Sequence, residues 1–207
     1  MPLCARCLGT ELGALVGLCN FWLSRPRASR LPPLRILLLV LLFFALWAVD
    51  SVNSYVHFAT GRALLYAPSN ILRLATGLLN GLSLSVLVFP MFNFALWTAP
   101  EDERVVGSSR ELAGLLLQLV ALGVVLLAGI DVLLYPLVLL NLLSVLLMLT
   151  LVNSMIAIIV LRRENLASGW RQALFPLTIG FFLSIGEAGT MATLRYWLSI
   201  RLTAALF

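Results

Sequence analysis

One stretch decides the fold class: 112-LAGLLLQLVALGVVLLAGIDVLLYPLVLLNLLSVLLMLTLVNSMIAIIVL-161. Its only charged residue is Asp131, and its only proline is Pro136. A single helix of this length would measure about 75 Å, more than twice the ~30 Å hydrocarbon core of a bilayer. The stretch therefore predicts two membrane-spanning helices that fold back on each other at Tyr135-Pro136, where proline removes a helical hydrogen bond.

The rest of the chain has the same apolar character. Of its 207 residues, 61% are hydrophobic and only 11% are charged, which leaves too few polar residues to cover a soluble domain. We predict an all-α fold, a polytopic transmembrane helical bundle that forms a single integral membrane domain over residues 1-207. About six spans are expected, at residues 8-23, 34-52, 71-97, 112-134, 137-161 and 173-194.

The basic residues predict an orientation. All fourteen are arginine, and nine of them lie in three connecting loops, at residues 25-35, 101-110 and 162-171. Because arginine-rich loops stay in the cytoplasm, we expect a multi-pass protein of the cell (inner) membrane with both termini extracytoplasmic. The chain has no dense basic run with stacking aromatics, so nucleic acid is not an expected partner. The expected partners are the lipid bilayer and either a second copy (a homo-oligomer) or other membrane subunits.

Several polar residues fall inside or beside the predicted spans. Asp50, Asn53 and His57 share one helical face if the second helix extends outward, because they stand at i, i+3 and i+7. Asn70 and Arg73 lie three residues apart at the start of the third span. An ionisable side chain at the centre of a membrane helix costs about 2.5 to 3.5 kcal/mol, so such residues indicate a functional site by default.

Arg73 is expected to pair with Asp50 or with Glu187, whose neighbours Gly186 and Gly189 would let another helix approach closely. Two interpretations are open: a functional pocket, or polar contacts between helices with no substrate. The predicted polar cluster on the extracytoplasmic side comprises Asp50, Asn53, Asn70, Arg73 and Glu187, with Asp131 as its weakest neighbour.

The segment Cys4-Ala5-Arg6-Cys7 is a C-x-x-C pair just before the first span. Vicinal thiols can close a disulfide, with Arg6 favouring the thiolate, or they can supply two of the four ligands of a zinc site. If the first helix begins early, Cys4, Cys7 and Glu11 share one face, and His57 could provide a fourth ligand. A metal ion at Cys4/Cys7 and a thiol-redox pair are therefore both open.

Small residues recur at helical spacing in two spans. Gly9, Gly13 and Gly17 form a glycine zipper on the first helix, and Gly77 with Gly81 forms a small-xxx-small pair on the third. Such patterns are typical of faces on which two membrane helices pack closely.

The string Pro2-Leu3-Cys4-Ala5-Arg6-Cys7-Leu8-Gly9-Thr10-Glu11-Leu12-Gly13, with Asp50 and the later Asn70-x-x-Arg73-x-x-Thr76-Gly77-x-x-x-Gly81, resembles the membrane proteins catalogued as domain of unknown function 2085. The resemblance covers about residues 2-81. In that family a segment with a Cys-His pair typically precedes the string. We expect either that the true start of this protein lies upstream of Met1 or that this family member lacks the Cys-His segment. The resemblance implies no known activity. It marks Cys4, Cys7, Asp50, Asn70 and Arg73 as family-site residues.

Enzyme motifs are missing from the sequence. It contains no G-x-S-x-G, no H-E-x-x-H and no phosphate-cradling glycine loop, and it has a single histidine. We therefore lean towards a non-enzymatic integral membrane protein whose polar cluster forms an assembly or small-ligand pocket on the extracytoplasmic side, without a cofactor. The alternatives are a membrane-embedded thiol-redox or metal-dependent enzyme that uses Cys4 and Cys7, and a small transporter.

Overall fold

The computed structural model describes residues 4–62, 64–128, 134–162, 164–165 and 167–206. Within them, six helices are long and apolar enough to cross a membrane, which confirms the predicted all-α bundle of about six spans. The helices are α1 (Ala5–Ser24), α2 (Leu34–Thr60), α3 (Asn70–Leu96), α4 (Ser109–Leu127), α5 (Leu134–Val160) and α6 (Trp170–Leu206).

Several helix boundaries differ from the prediction, and the largest difference is at α6, which continues to Leu206 instead of ending near residue 194. Helix α2 continues to Thr60 instead of ending near residue 52, and it stops at Gly61, whose left-handed backbone (φ 70°) ends the helix. The predicted turn at Tyr135-Pro136 is wrong, because both residues lie in the first turn of α5. Proline is tolerated there, since the first N–H groups of a helix have no partner within it. The predicted neighbour Asp131 lies outside the described residues.

Helices α1 and α3 pack with their backbones in contact. A Cβ atom added to Gly9 would lie 2.6 Å from the carbonyl oxygen of Leu74, and one added to Gly81 would overlap the carbonyl oxygen of Thr10. No side chain larger than hydrogen fits at these positions. Small residues bring membrane helices this close because little hydrophobic force acts between helices in lipid and van der Waals contact must hold them.

The remaining helices surround this pair. Helix α2 packs on α3, where the Ser83 hydroxyl donates to the Val40 carbonyl at 3.0 Å, and α5 packs on both α1 and α3. Helix α6 packs on α5, and its first residue, Trp170, stacks on Trp22 of α1 and contacts Trp97, the residue after α3, edge-on. Helix α6 is the least buried span, with 11% of its apolar segment inside the bundle against 50% for α3.

The three arginine-bearing loops meet at one end of the bundle, called here the inner end. In the first two loops, β1 (Ala28–Arg30) pairs in parallel with β2 (Glu101–Arg104). The Asn93 amide of α3 donates to the Ala28 carbonyl at 3.0 Å, and the third loop joins through a bond from the Ala167 N–H to the Leu96 carbonyl at 3.2 Å. The last turn of α3 thus ties all three loops together.

Replacing Gly81 by leucine should destabilise the bundle, because the new side chain has no room against the α1 backbone. Overpacking of this kind costs about 1–3 kcal/mol, so the apparent melting temperature of the purified protein in detergent should fall by several degrees. Gly114→Leu on α4 is the matched control, since nothing lies within 4 Å of a Cβ there. Equal melting temperatures for the two variants would contradict the close packing of α1 on α3.

Candidate functional site at the outer end

Asp50 is the centre of a polar network at the opposite, outer end. Its side chain is fully buried, and the Arg6 guanidinium donates to Oδ2 from Nη2 at 2.5 Å and from Nε at 3.1 Å. The Tyr66 hydroxyl donates to Oδ1 at 2.7 Å, and the Thr76 hydroxyl donates to Oδ2 at 3.3 Å. Arg6 Nη2 also donates to Ser54 Oγ at 2.8 Å. These five residues are called the Asp50 network below.

The network joins three helices and one loop. Arg6 lies in the first turn of α1, Asp50 and Ser54 lie one turn apart on α2, and Thr76 lies near the start of α3. Tyr66 belongs to the loop between α2 and α3. Arg6 reaches Asp50 because α1 lies directly on α3 here: a Cβ at Gly77 would overlap the Arg6 carbonyl oxygen.

The expected Asp50–Arg73 ion pair is wrong, because Arg6 occupies that position. The Arg73 Nε lies 3.4 Å from Ser54 Oγ, and Arg73 forms no ion pair among the described residues. The sequence contains one signal for the true partner, namely an arginine two residues before the predicted first span. The helix begins at Ala5 and not at residue 8, so Arg6 belongs to α1.

Two further predicted residues lie beside the network. Asn53 is fully buried and ties the loop onto α2, because its amide donates to the Tyr66 carbonyl and its oxygen accepts from the Leu65 N–H, both at 2.9 Å. His57 lies one turn further along α2 with its Nδ1 buried and without a hydrogen-bond partner among the described residues. Asn70 is the exposed first residue of α3.

Glu187 lies in a different pair of helices. Its carboxylate accepts a hydrogen bond from the Asn153 amide of α5 at 3.0 Å, and the same amide donates to Ser184 at 3.1 Å. Asn153 and Ser184 are buried, whereas Glu187 is exposed on the surface of α6. The expected pairing of Glu187 with Arg73 is therefore wrong, and the predicted polar cluster divides into two groups.

The cysteines lie at the start of α1. Cys4 is the N-cap residue, Cys7 follows within the first turn, and both are free and exposed. The backbone N–H of Cys7, which can donate to a thiolate at Cys4, is the main cause that lowers the pKa of Cys4. Glu11 lies beside α5, where Ser144 Oγ donates to its backbone carbonyl at 2.6 Å.

No three histidine, cysteine or acidic side chains within the described ranges are arranged to hold a metal ion. The set Cys4, Cys7, Glu11 and His57 is therefore not assembled as four ligands in that part of the chain. A metal ion at Cys4/Cys7 stays a prediction.

The donors and acceptors of the Asp50 network bond to one another. Burial, and then the bond to the Asp50 carboxylate, raise the pKa of Tyr66, so its hydroxyl keeps its proton and remains a donor. Both carboxylate oxygens of Asp50 accept hydrogen bonds from the protein itself. The network therefore links three helices at one level.

Asp50→Asn should destabilise the protein strongly, because the Arg6 guanidinium would lose its charge partner. Breaking a buried ion pair costs about 3 kcal/mol or more. Asp102→Asn is the control, since the Asp102–Arg30 pair at the inner end is exposed and its loss should cost less than about 1 kcal/mol. Denaturation of both variants in detergent measures the difference, and equal losses of stability would contradict the assigned role of Asp50.

Comparison with known proteins gives a match for the first part of the chain only. Residues 1–87 match a family described as Predicted membrane protein (DUF2085), and this confirms the resemblance drawn from residues 2-81. No curated protein and no solved structure matches the chain. The matched range contains both N-terminal cysteines, α1, α2 and most of α3. Residues 1–87, with the complete Asp50 network, are therefore similar to the predicted membrane proteins of the DUF2085 family.

Proposed function

We propose that the protein is an integral membrane protein in which the Asp50 network has a structural, non-enzymatic role: it assembles α1, α2 and α3. One observation carries the proposal, namely that the chain itself already uses the polar groups that a substrate would need. Both oxygens of Asp50 are bonded, and the Arg6 guanidinium bonds to Asp50 and Ser54.

The energetics support an assembly role. A carboxylate buried away from water is costly, and several charge-assisted hydrogen bonds are needed to offset that cost. The observed position of the three helices brings Arg6, Asp50 and Thr76 together, and a vertical shift of α1 that broke the Arg6 bonds would leave a buried charge unpaired. A polar contact of this kind selects one helix register more than it adds net stability.

Location and orientation form part of the proposal. The arginine-bearing loops share the inner end, and Trp170 contacts both Trp22 and Trp97 there. Tryptophan is enriched at membrane–water interfaces. The positive-inside rule would then put the inner end in the cytoplasm. The Asp50 network and both termini would face the extracytoplasmic side of the cell (inner) membrane.

The exposed face of α6 supports assembly with a second copy of the chain. Nothing lies within 4 Å of a Cβ at Gly186 or Gly189, and at 100° per residue these glycines lie on the side of α6 opposite to Glu187, which is bonded to α5. Small residues are typical of the faces on which two membrane helices pack. A second copy presents the same face at the same depth, so α6 can pair with itself about a two-fold axis.

The double variant Arg6→Met/Asp50→Leu separates a structural role from a chemical one. Replacing a buried ion pair with apolar residues of similar size is often neutral or stabilising. We expect the double variant to regain most of the stability that Asp50→Asn loses, by about 2 kcal/mol or more. We also expect the gene for the double variant to complement a strain from which the wild-type gene is deleted, that is, to return the strain to the wild-type phenotype. In this variant the Tyr66 hydroxyl loses Asp50 as its acceptor, but Tyr66 is half-exposed and can donate to water instead.

A stable double variant that fails to restore the phenotype would contradict the proposal. It would show that the charged groups themselves do chemistry or bind a ligand. The single variant Arg6→Met is the control, because it leaves Asp50 buried without its cation and should unfold more easily than the double variant.

Gly189→Leu should weaken the proposed dimer, because the larger side chain would hold two α6 helices apart. We expect its dissociation constant in lipid nanodiscs, measured by native mass spectrometry, to rise about tenfold or more, or ~1.4 kcal/mol. Gly114→Leu, an equally uncovered glycine on α4, should leave the constant unchanged. A wild-type protein that stays monomeric in nanodiscs and in cross-linked native membranes would rule out pairing through α6.

A further inference from the structure

The start of α1 presents two thiols that no packing contact explains. Along the first turn, Ala5 and Leu8 are 7% and 4% exposed and face the bundle, whereas Cys4 and Cys7 are exposed. A free cysteine is usually among the most buried residues of a protein. Packing in the core therefore does not explain two exposed cysteines at C-x-x-C spacing.

The backbone at this point favours a reactive thiol at the first position. Cys4 is the N-cap residue, with an extended backbone (φ −61°, ψ 120°), so its side chain lies at the helix end where N–H groups are unpaired. The Cys7 N–H is the group that chiefly lowers the pKa of Cys4, and the Cys7 thiol and the Arg6 charge act in the same direction. A thiolate is the nucleophilic form of cysteine.

The Asp50 network fixes this turn in place. Arg6 lies between the two cysteines, and its guanidinium is bonded to the Asp50 carboxylate, the Asp50 carbonyl and Ser54. Cys4 is the N-cap residue and Cys7 follows three residues later in the first turn of α1, so the two cysteines are neighbours on a turn that the Arg6–Asp50 bonds anchor. A pair held in this way can close a disulfide without movement of the rest of α1.

We propose that Cys4 and Cys7 form a dithiol that exchanges electrons with disulfides at the outer end of the bundle, with Cys4 as the nucleophile and Cys7 as the resolving thiol. The co-reactant is a disulfide of a small molecule or of another protein. This activity is additional to the assembly role of the Asp50 network, which holds the helix and does not react.

The exchange takes two balanced steps. Cys4 Sγ, as the thiolate, attacks one sulfur of R–S–S–R′, so a Cys4–S–S–R bond forms, the original S–S bond breaks, and R′–S⁻ leaves and takes a proton from water. Cys7 then releases its proton to water and attacks Cys4 Sγ, which expels R–S⁻ to be protonated in turn. The dithiol loses two electrons and two protons and becomes the Cys4–Cys7 disulfide, while R–S–S–R′ becomes two thiols.

The experiment uses the full chain in nanodiscs with Cys19→Ser, so that two cysteines remain. Glutathione disulfide is the probe, and intact mass spectrometry follows the products. We expect both thiols to disappear together with the loss of two hydrogen atoms in mass. Cys7→Ser should instead accumulate a glutathione adduct at Cys4. Cys4→Ser should react with glutathione disulfide at about one tenth of the rate of Cys7→Ser, or more slowly still. The plot of the Cys4 reaction rate against pH should have its inflection below about pH 8.5, the ordinary value for a cysteine thiol.

Three results would overturn the proposal. The cysteines could each take up glutathione without closing a disulfide, or Cys4 could react no faster than Cys7. Alternatively, the purified protein could contain stoichiometric zinc that blocks the exchange. Unchanged melting temperatures of the serine variants would show that these rates report on the thiols. The exchange is measured on a chain in which Arg6 and Asp50 are intact, whereas the assembly role is tested by the stability of Arg6→Met/Asp50→Leu, so the two proposals can fail separately.

Discussion

The bonding of Arg6 to Asp50 is the interaction on which the outer half of the bundle depends. A fully buried carboxylate in a membrane-spanning helix is tolerated only if the protein supplies the donors that water would supply elsewhere. Arg6 and the hydroxyls of Tyr66 and Thr76 supply them here. In the proposed assembly role, that requirement sets the position of α1 and the orientation of the cysteine turn, and with Asn53 it closes the loop after α2.

Backbone contact between α1 and α3 makes this bonding possible. Arg6 could not reach across to α2 if a side chain stood at Gly77, because α1 would be displaced outward. The glycines and the ion pair therefore act together: the first set the distance between the helices, and the second sets their vertical register. At the inner end the last turn of α3 has the corresponding role through Asn93, whose amide donates to the Ala28 carbonyl of the first loop and whose side-chain oxygen accepts from the Trp97 indole.

The fold was largely predictable, and the site was predictable only in part. Six spans follow from local hydropathy, which depends on neighbouring residues alone. The extension of α2 to Thr60 escaped this measure because Asp50, Asn53 and Ser54 make its outer turns look like a loop, although they are buried by other helices. The choice of Arg6 over Arg73 as the partner of Asp50 depends on which helices touch, and helical periodicity carries no such information.

The separation of Arg6 and Asp50 by 44 positions has a consequence for biosynthesis. The first helix emerges from the ribosome with its arginine and with a glycine-lined surface, before the acid and the third helix that will receive them have been made. On its own it is the least apolar of the six described spans, with a mean hydropathy of 1.2. We therefore expect its stable insertion to wait for the third helix, which supplies the glycine-lined face on which it packs.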